Sequence, residues 1–236
     1  MRFNLSSTAL SSRLLTLSRV INSKNSLPIL DCFLFEVHNG QLTITSSDSE
    51  NVMCGTLILD SCEGEGDFAV NNQTILDAVK ELPDQPLALD VNFNEMKIYI
   101  TYQNGSYNFP ILGADEYPRV QPISDNASSI TIDAAKLSDS INRSIFATAQ
   151  DELRPVMNGI YFDLTSDSLA IVASDGHKLV RNKNYSIKSE TPSAFILPKK
   201  PATLLKTVLA KDGGDVVIRF DNRFADISFA DGNLSC

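Results

Sequence analysis

The chain has 236 residues, 43% of them hydrophobic, and a net charge of −9. That length gives one to two domains; no stretch approaches the roughly 18 consecutive apolar residues of a membrane span, so no membrane partner is expected. The polar start, Met1-Arg2-Phe3-Asn4, leads into serines rather than the apolar run of a signal peptide, which predicts a cytoplasmic protein. Cys32, Cys54, Cys62 and Cys236 show no Cys-x-x-Cys spacing and no nearby histidine, so they read as reduced thiols, with no metal site and no cofactor.

Residues 2–5 alternate as a short strand, and Ser6 or Ser7 is placed to cap the helix that follows. Leu10, Leu14, Leu17 and Ile21 recur at helical spacing with Arg19 opposite, which predicts an amphipathic helix over 7–24. Strand-like runs follow at 33–37, 42–46 and 52–59, with His38-Asn39-Gly40 as a hairpin turn. His38 has no candidate partner and reads as solvent-exposed. Glu63, Glu65 and Asp67 alternate with Gly64 and Gly66, but miss the calcium-loop template and read as a flexible acidic turn.

The pattern restarts at 68–70, where Asn71 or Asn72 caps a helix over 72–82. Strands near 87–92, 96–102 and 106–112 complete it, the last pair turning at Asn104-Gly105. Residues 113–122 break both periodicities and carry Pro118 and Pro122, so they read as an interdomain connector. From about Ile130 the pattern returns, with helices over 134–150 and 198–211.

A shift of 127 residues aligns the chain with itself without a gap. Residues 27–37 fall on 154–164 and 42–48 on 169–175; Leu10 meets Leu137, Leu14 Ile141, Phe68 Phe195, Val91 Ile218, Phe93 Phe220 and Ile100 Ile227. Preserved apolar positions mean a preserved core face, hence one fold used twice. A shift of 65 inside the first copy aligns Phe3, Leu5, Leu10, Leu14 and Leu17 with Phe68, Val70, Ile75, Val79 and Leu82. The expected architecture is α+β, a βαβββ unit used twice per domain, with domains at 1–120 and 121–236. Cys236 falls on Phe109, after which the first copy continues, so the last strand is expected to run on in a longer protein.

Net acidity argues against nucleic acid until the charge is mapped. The four helical windows total +7, which leaves −16 on strands and loops, so the helices carry the basic charge that phosphate binding requires. Lys136 and Arg143 lie seven residues apart, as do Lys199 and Lys206, which makes a basic ridge on each long helix of the second copy.

Several motifs together carry a resemblance: Ser26-Leu27-Pro28-Ile29-Leu30, Met157-Asn158-Gly159, Ala173-Ser174-Asp175-Gly176-His177-Lys178-Leu179 and Leu197-Pro198-Lys199-Lys200. They resemble the bacterial sliding clamps, the β subunits of DNA polymerase III, over all 236 positions. The Asp-Gly-His-basic-Leu loop is the most specific of them. The resemblance implies a three-domain subunit of which the first two domains are here. Two subunits would close head to tail around double-stranded DNA, with helices lining the hole.

Implied DNA-facing residues are Lys24, Lys80, Gln150, Arg154, Lys199 and Lys200; helical phase adds Arg13, Arg19, Lys136, Arg143 and Lys206. The resemblance also implies a groove for linear motifs, walled by Arg154, Met157, Ser174, Gly176, His177, Lys178 and Leu179. It would serve the polymerase III catalytic subunit, the clamp loader, other polymerases and repair proteins. The chain departs from the family pattern at Pro155 and Val156, where aromatic residues occur, and at Lys178, where arginine occurs. The dimer edge would be 105–111, with Tyr107 and Phe109.

Two other function classes compete. Ser174, Asp175 and His177 supply hydrolase residue types, but they crowd one turn, whereas a triad draws on separated segments. No Gly-x-x-x-x-Gly-Lys-Ser/Thr run predicts nucleotide hydrolysis. A protein-binding scaffold without DNA remains, and it gives no reason for basic helices.

Overall fold

The computed structural model describes every residue except 26, 121, 152, 210–212 and 231. It divides into two compact units, Met1–Val120 and Gln121–Cys236. Lys211, a cation of the 198–211 helical window, lies outside the described residues, as do Ser26 of the leucine-proline motif and Gln121 of the connector.

In unit 1, strand β1 (Arg2–Ser6) feeds helix α1 (Ser7–Leu17), and β2 (Cys32–His38), β3 (Gln41–Ser47), β4 (Val52–Ile58) and the short β5 (Ser61–Glu63) follow. The second half runs β6 (Gly66–Asn71), α2 (Asn72–Val79), β7 (Pro86–Asn92), β8 (Lys97–Tyr102) and β9 (Gly105–Gly113). Every pairing is antiparallel, in the order β4-β3-β2-β6-β9-β8-β7-β1-β5. Strand β9 belongs to two ladders: Gly105 to Pro110 pair with β8, and Ile111 to Gly113 with β6. The halves interlock, because β1 pairs with β7 of the other half and β6 with β2.

Unit 2 repeats this path through β10 (Ser128–Asp133), α3 (Ala134–Ser144), β11 (Gly159–Leu164), β12 (Leu169–Ser174), β13 (Leu179–Asn184), β14 (Ser193–Pro198), α4 (Lys199–Leu209), β15 (Asp215–Phe220), β16 (Ala225–Phe229) and β17 (Gly232–Ser235). Its strands are ordered β13-β12-β11-β14 and β10-β15-β16-β17.

Local chemistry explains the helix starts. The last residue of the preceding strand accepts a backbone N–H from the first turn: Ser6 Oγ from Ala9 (3.4 Å), Asn71 Oδ1 from Thr74 (3.0 Å), Asp133 Oδ1 from Lys136 (3.0 Å). Within each unit the two helices pack side by side, α1 on α2 and α3 on α4. Leu10, Leu14 and Leu17 of α1 are sealed beneath it, as are Leu137 and Ile141 beneath α3. Full burial of each such side chain stabilises by about 1.5–3 kcal/mol.

Several sequence expectations need correction. Helix α1 ends at Leu17 rather than continuing to residue 24. The amides of Arg19, Val20 and Ile21 bond to carbonyls only three residues back, and the Ser18 hydroxyl donates to the Leu15 carbonyl. That tightening brings Val20, not Ile21, into the core. Arg19 and Lys24 therefore sit in turns, Lys80 is the C-cap of α2, and the described helices carry net +4; Lys211, counted in the +7 of the windows, lies outside the described residues. Helix α3 ends at Ser144 and passes into a 3-10 turn at Ile145–Ala147.

His38 is not partnerless. It ends β2, where Nε2 lies 2.6 Å from Asp67 Oδ1 and Nδ1 3.5 Å from Glu65 Oε2, while Glu65 Oε1 accepts the Asn39 amide at 2.8 Å. The supposed acidic turn is thus largely strand, with Glu63 in β5 and Asp67 in β6. The reversal before it uses Asn39 at φ 52° and Gly40 at φ 72°, both in the left-handed region that suits a two-residue hairpin. The β8–β9 reversal falls at Gln103-Asn104, one residue earlier than expected, since Gly105 already pairs with Tyr102.

The connector is anchored rather than loose. Tyr117 is 2% exposed in a cluster with Ile29, Leu30, Leu34, Ala69 and Ala114, and its hydroxyl lies 3.3 Å from the carbonyls of Cys32 and Thr45. Arg119 adds an ion pair to Glu36 at 2.8 Å. One buried ring in a non-periodic stretch leaves no periodic signal, which is why spacing alone missed it.

Candidate nucleic-acid interface and peptide groove

The candidate DNA-facing residues fall into three groups, with Arg13 and Arg19 apart. Lys199 and Lys200 open α4, and Lys206 lies in its last turn. None of the four helices has an acidic residue in its first turn. Two lysines at a helix N-terminus oppose the macrodipole and cost helix stability, typically about 0.3–1 kcal/mol each. In the second group, Lys80 pairs with Asp77 at 2.6 Å, Arg143 with Asp139 at 2.9 Å and Arg154 with Asp151 at 2.8 Å. These pairs are solvent-exposed and correspondingly weak. Lys24, Lys136 and Gln150 make up the third group, exposed on turns or helix surface.

Arg13 departs from the expectation. Position 13 lies within a turn of both Leu10 and Leu17, on the flank of the apolar stripe, so its side chain folds over β4 instead of projecting as part of a ridge. The stem covers Gly55, where a Cβ would meet Arg13 Cδ at 2.6 Å, and Nη2 reaches the Thr56 carbonyl at 3.5 Å. The residue is half-buried. Arg19 is exposed, but on a turn rather than a helix.

Three segments meet in unit 2 where the groove is expected: the 3-10 turn around Phe146, residues 151 and 153–158, and the loop from Ser174 to Leu179. The middle segment is clamped by Asn158, whose Oδ1 accepts the Asp151 amide and whose Nδ2 donates to the Asp151 carbonyl, both at 3.0 Å. In the third segment, Asp175 Oδ1 accepts the amides of His177 (2.9 Å) and Lys178 (2.7 Å), an Asx turn. Those amides, followed by the Lys178 ammonium at 3.0 Å, hold the Asp175 carboxyl well below the usual carboxylate range. Gly176 takes φ 88°, where a side chain would be strained.

Lys178 and Arg154 stitch the segments together. Lys178 Nζ lies 3.4 Å from the Phe146 carbonyl and 6.0 Å above its ring. Arg154 Nη1 passes 3.5 Å from where a Gly176 Cβ would stand. Around these cations lie apolar side chains without cover: Leu153 is 91% exposed, Leu179 71% and Val156 67%, with Met157 half-buried. Leu153 and Phe146 were not picked out by sequence reasoning, since isolated apolar residues in loops resemble ordinary surface scatter, and Val156 stood out only as a departure from the family pattern.

The same geometry bears on hydrolysis. Ser174 Oγ donates to the Lys178 carbonyl at 2.8 Å and accepts the Gly176 amide at 3.2 Å, while Asp175 is occupied by backbone. Among the described residues no hydrogen bond joins the His177 ring to either, so no nucleophile–base–acid relay exists there. The thiols of Cys32 and Cys236 are pushed up, to about 11 and about 12, by burial first and then by Asp31 and Asp226 respectively, which makes them poor nucleophiles at neutral pH.

Tyr107 and Phe109 lie on β9 in a stacked row with Tyr102, at centroid separations of 5.2 and 6.1 Å. Both are half-buried. Over Gly105 to Pro110, β9 pairs with β8 on one side only, since its partner on the other side, β6, engages just Ile111 to Gly113.

Comparison with known proteins agrees along the whole chain. Residues 1–121 match the N-terminal domain of the DNA polymerase III beta subunit and residues 131–236 its central domain. The beta sliding clamp of Pseudomonas aeruginosa is 28% identical over 92% of this chain, and that of Streptococcus pneumoniae 30% identical over 93%. The chain spans 59% of the length of each. The crystal structure of the Pseudomonas aeruginosa clamp bound to griselimycin superposes with a TM-score of 0.93 at 26% identity, covering 100% of this chain and 63% of that one. With two consecutive family domains matched in order and the fold reproduced throughout, the chain belongs to the DNA polymerase III beta subunit family.

Proposed function

We propose that the chain supplies the first two domains of a three-domain sliding clamp, which closes with a second copy head to tail around duplex DNA and tethers the replicative polymerase to it. The observation that carries this reading is charge segregation: the described helices hold net +4 and no acid in any first turn, while the rest of the sequence holds the remaining −13 of a chain at −9. Lysines that weaken the start of α4 are hard to explain by helix stability alone; a phosphate facing them supplies the reason. Net acidity then prevents tight adhesion, so retention is topological and each lysine–phosphate attraction stays weak and salt-screened.

In this reading Lys24, Lys80, Lys136, Arg143, Gln150, Arg154, Lys199, Lys200 and Lys206 face DNA. Arg13 instead braces α1 on β4. Arg154, Met157, Ser174, Gly176, His177, Lys178 and Leu179 form one wall of the motif groove, where apolar anchors bury Leu179 and Met157 and the cations meet peptide carboxylates. Leu153 and Val156 extend that wall. Its occupants are short motifs of the polymerase III catalytic subunit, the clamp loader, other polymerases and repair proteins. The open stretch of β9 with Tyr107 and Phe109 forms the dimer seam. The protein acts in the cytoplasm, without catalysis of its own and without a cofactor.

The test is salt-dependent duplex binding. Lys199→Glu with Lys200→Glu should weaken binding and flatten the logarithmic salt dependence by about 0.9 for each phosphate no longer neutralised. In the three-domain subunit, retention on circular DNA should vanish on linearisation. Binding indifferent to salt and to these substitutions would favour the scaffold without DNA, and hydrolytic turnover would restore the enzyme.

A further inference from the structure

The internal repeat gives each unit an equivalent cleft between its first helix and a strand. Between α1 and β4 in unit 1, the cleft is filled by Arg13 lying over Gly55. A shift of 127 residues puts Ser140 at Arg13, Asn182 at Gly55 and Lys183 at Thr56. These three residues help to line a cavity of about 300 Å³ between α3 and β13. Serine ends where arginine continues, so the volume that one side chain fills in unit 1 stands open in unit 2.

The walls of the open cleft are cationic. Lys136 and Arg143 border it from α3 and Lys183 from β13, against the single carboxylate of Asp139. Asp139 binds the Arg143 Nε at 3.0 Å, which directs the terminal guanidinium nitrogens to other acceptors. Among the described residues no carboxylate pairs with Lys136 or Lys183. Asn182, fixed to the Ser144 hydroxyl at 3.1 Å, makes the floor polar, and the exposed Tyr185 stands at the rim. A solvent-open polar cleft with surplus positive charge and multiple N–H donors matches a tetrahedral oxyanion with several acceptor oxygens.

We propose that this cleft is a binding site for a phosphate-class anion, held chiefly by Lys136 and Arg143. Its source is either free phosphate or a backbone phosphodiester. The phosphodiester source rests on the DNA-encircling reading, which sets Lys136 and Arg143 against the duplex; the free-anion source does not, because a free anion occupies the cleft whether or not the chain tracks DNA.

Amide NMR of the chain, titrated with inorganic phosphate and separately with a short DNA duplex against chloride at matched ionic strength, tests it. Saturable shifts confined to residues 136–143 and 182–185 are expected. Lys136→Gln should weaken them about tenfold, the effect of one charge-assisted hydrogen bond. Ser140→Met fills the cleft without changing its charge and should abolish saturation, with the spectrum elsewhere reporting an intact fold. Saturation with phosphate assigns a free-ion site, and saturation with the duplex alone assigns a phosphodiester site. Shifts spread over all lysines, or unchanged by both Lys136→Gln and Ser140→Met, mean general screening and overturn the proposal.

Discussion

In unit 1 the ring of Phe68 is sealed completely and stacks on Phe35 at 5.2 Å, while Phe93 stays 41% exposed and covers Gly66. In unit 2 the equivalent of Phe93, Phe220, turns inward instead. Phe195 then stacks between Phe162 at 4.8 Å and Phe220 at 4.3 Å, and keeps part of its surface in water. One strand order thus tolerates two interiors. The alternation of apolar and polar positions fixes topology, whereas the assignment of individual rings follows local volume.

The sharpest way to probe this contrast is to delete one ring from each unit. Phe68→Ala leaves a cavity that unit 1 cannot close and should cost about 3–5 kcal/mol in urea unfolding. Phe195→Ala, partly exposed already, should cost clearly less; equal losses would show the two interiors to be equivalent after all. A second contrast lies at Cys32 and Gly159, which occupy matching positions. A Cβ at Gly159 would meet Ile196 Cγ2 at 2.5 Å and the Leu197 carbonyl oxygen at 2.6 Å. Gly159→Ala should therefore destabilise unit 2 by about 1–3 kcal/mol through overpacking. Cys32→Ala, which only trims unit 1, should cost less, as paired thermal melts would read.

Smaller effects separate the loops. Asp175 is held low by the amides of His177 and Lys178, so its contribution is present above the unfolded carboxyl's range and lost as pH falls through the lowered folded value. The loop in unit 2 should accordingly keep its amide protection through mild acid, and Asp175→Ala should lose that protection at neutral pH. His38 behaves oppositely. Its hydrogen bonds to Asp67 and then Glu65 raise its pKa, so the added stability of the β2–β3 turn is complete below the ordinary histidine value of about 6.5 and fades as pH rises through the folded value. The matching turn of unit 2 is closed by Thr165, whose hydroxyl donates to the Ser168 carbonyl at 3.0 Å, and should not titrate. Local exchange rates across pH 6–8 that change equally at both turns would contradict this.

Much of the fold was legible because its core obeys periodicity. The stripe at Leu10, Leu14 and Leu17, the Asn39-Gly40 turn and the caps at Ser6 and Asn71 each rest on residues a few positions apart. What escaped notice depends on distant partners. Asp67 and Glu65 reach His38 only once β6 lies beside β2, Gly55 admits Arg13 only once α1 crosses β4, and Tyr117 finds its cluster across the whole of unit 1. The loop from Ser174 to Leu179 was visible as a motif. Its exposed neighbour Leu153 was not, because nothing in its spacing distinguishes it from other surface residues.

The interlocking of the half-units has a consequence for folding. A segment cut at the 65-residue period would keep β1 without β7 and β2 without β6, leaving two ladders with no complement. Ser7 tightens the tie: its amide donates to the Gln85 carbonyl at 2.9 Å, and its hydroxyl to that of Pro83 at 2.8 Å, across to the other half. Ancestry by duplication therefore does not imply divisibility. Each unit should open as a single cooperative foldon, its slowest-exchanging amides drawn from both halves alike.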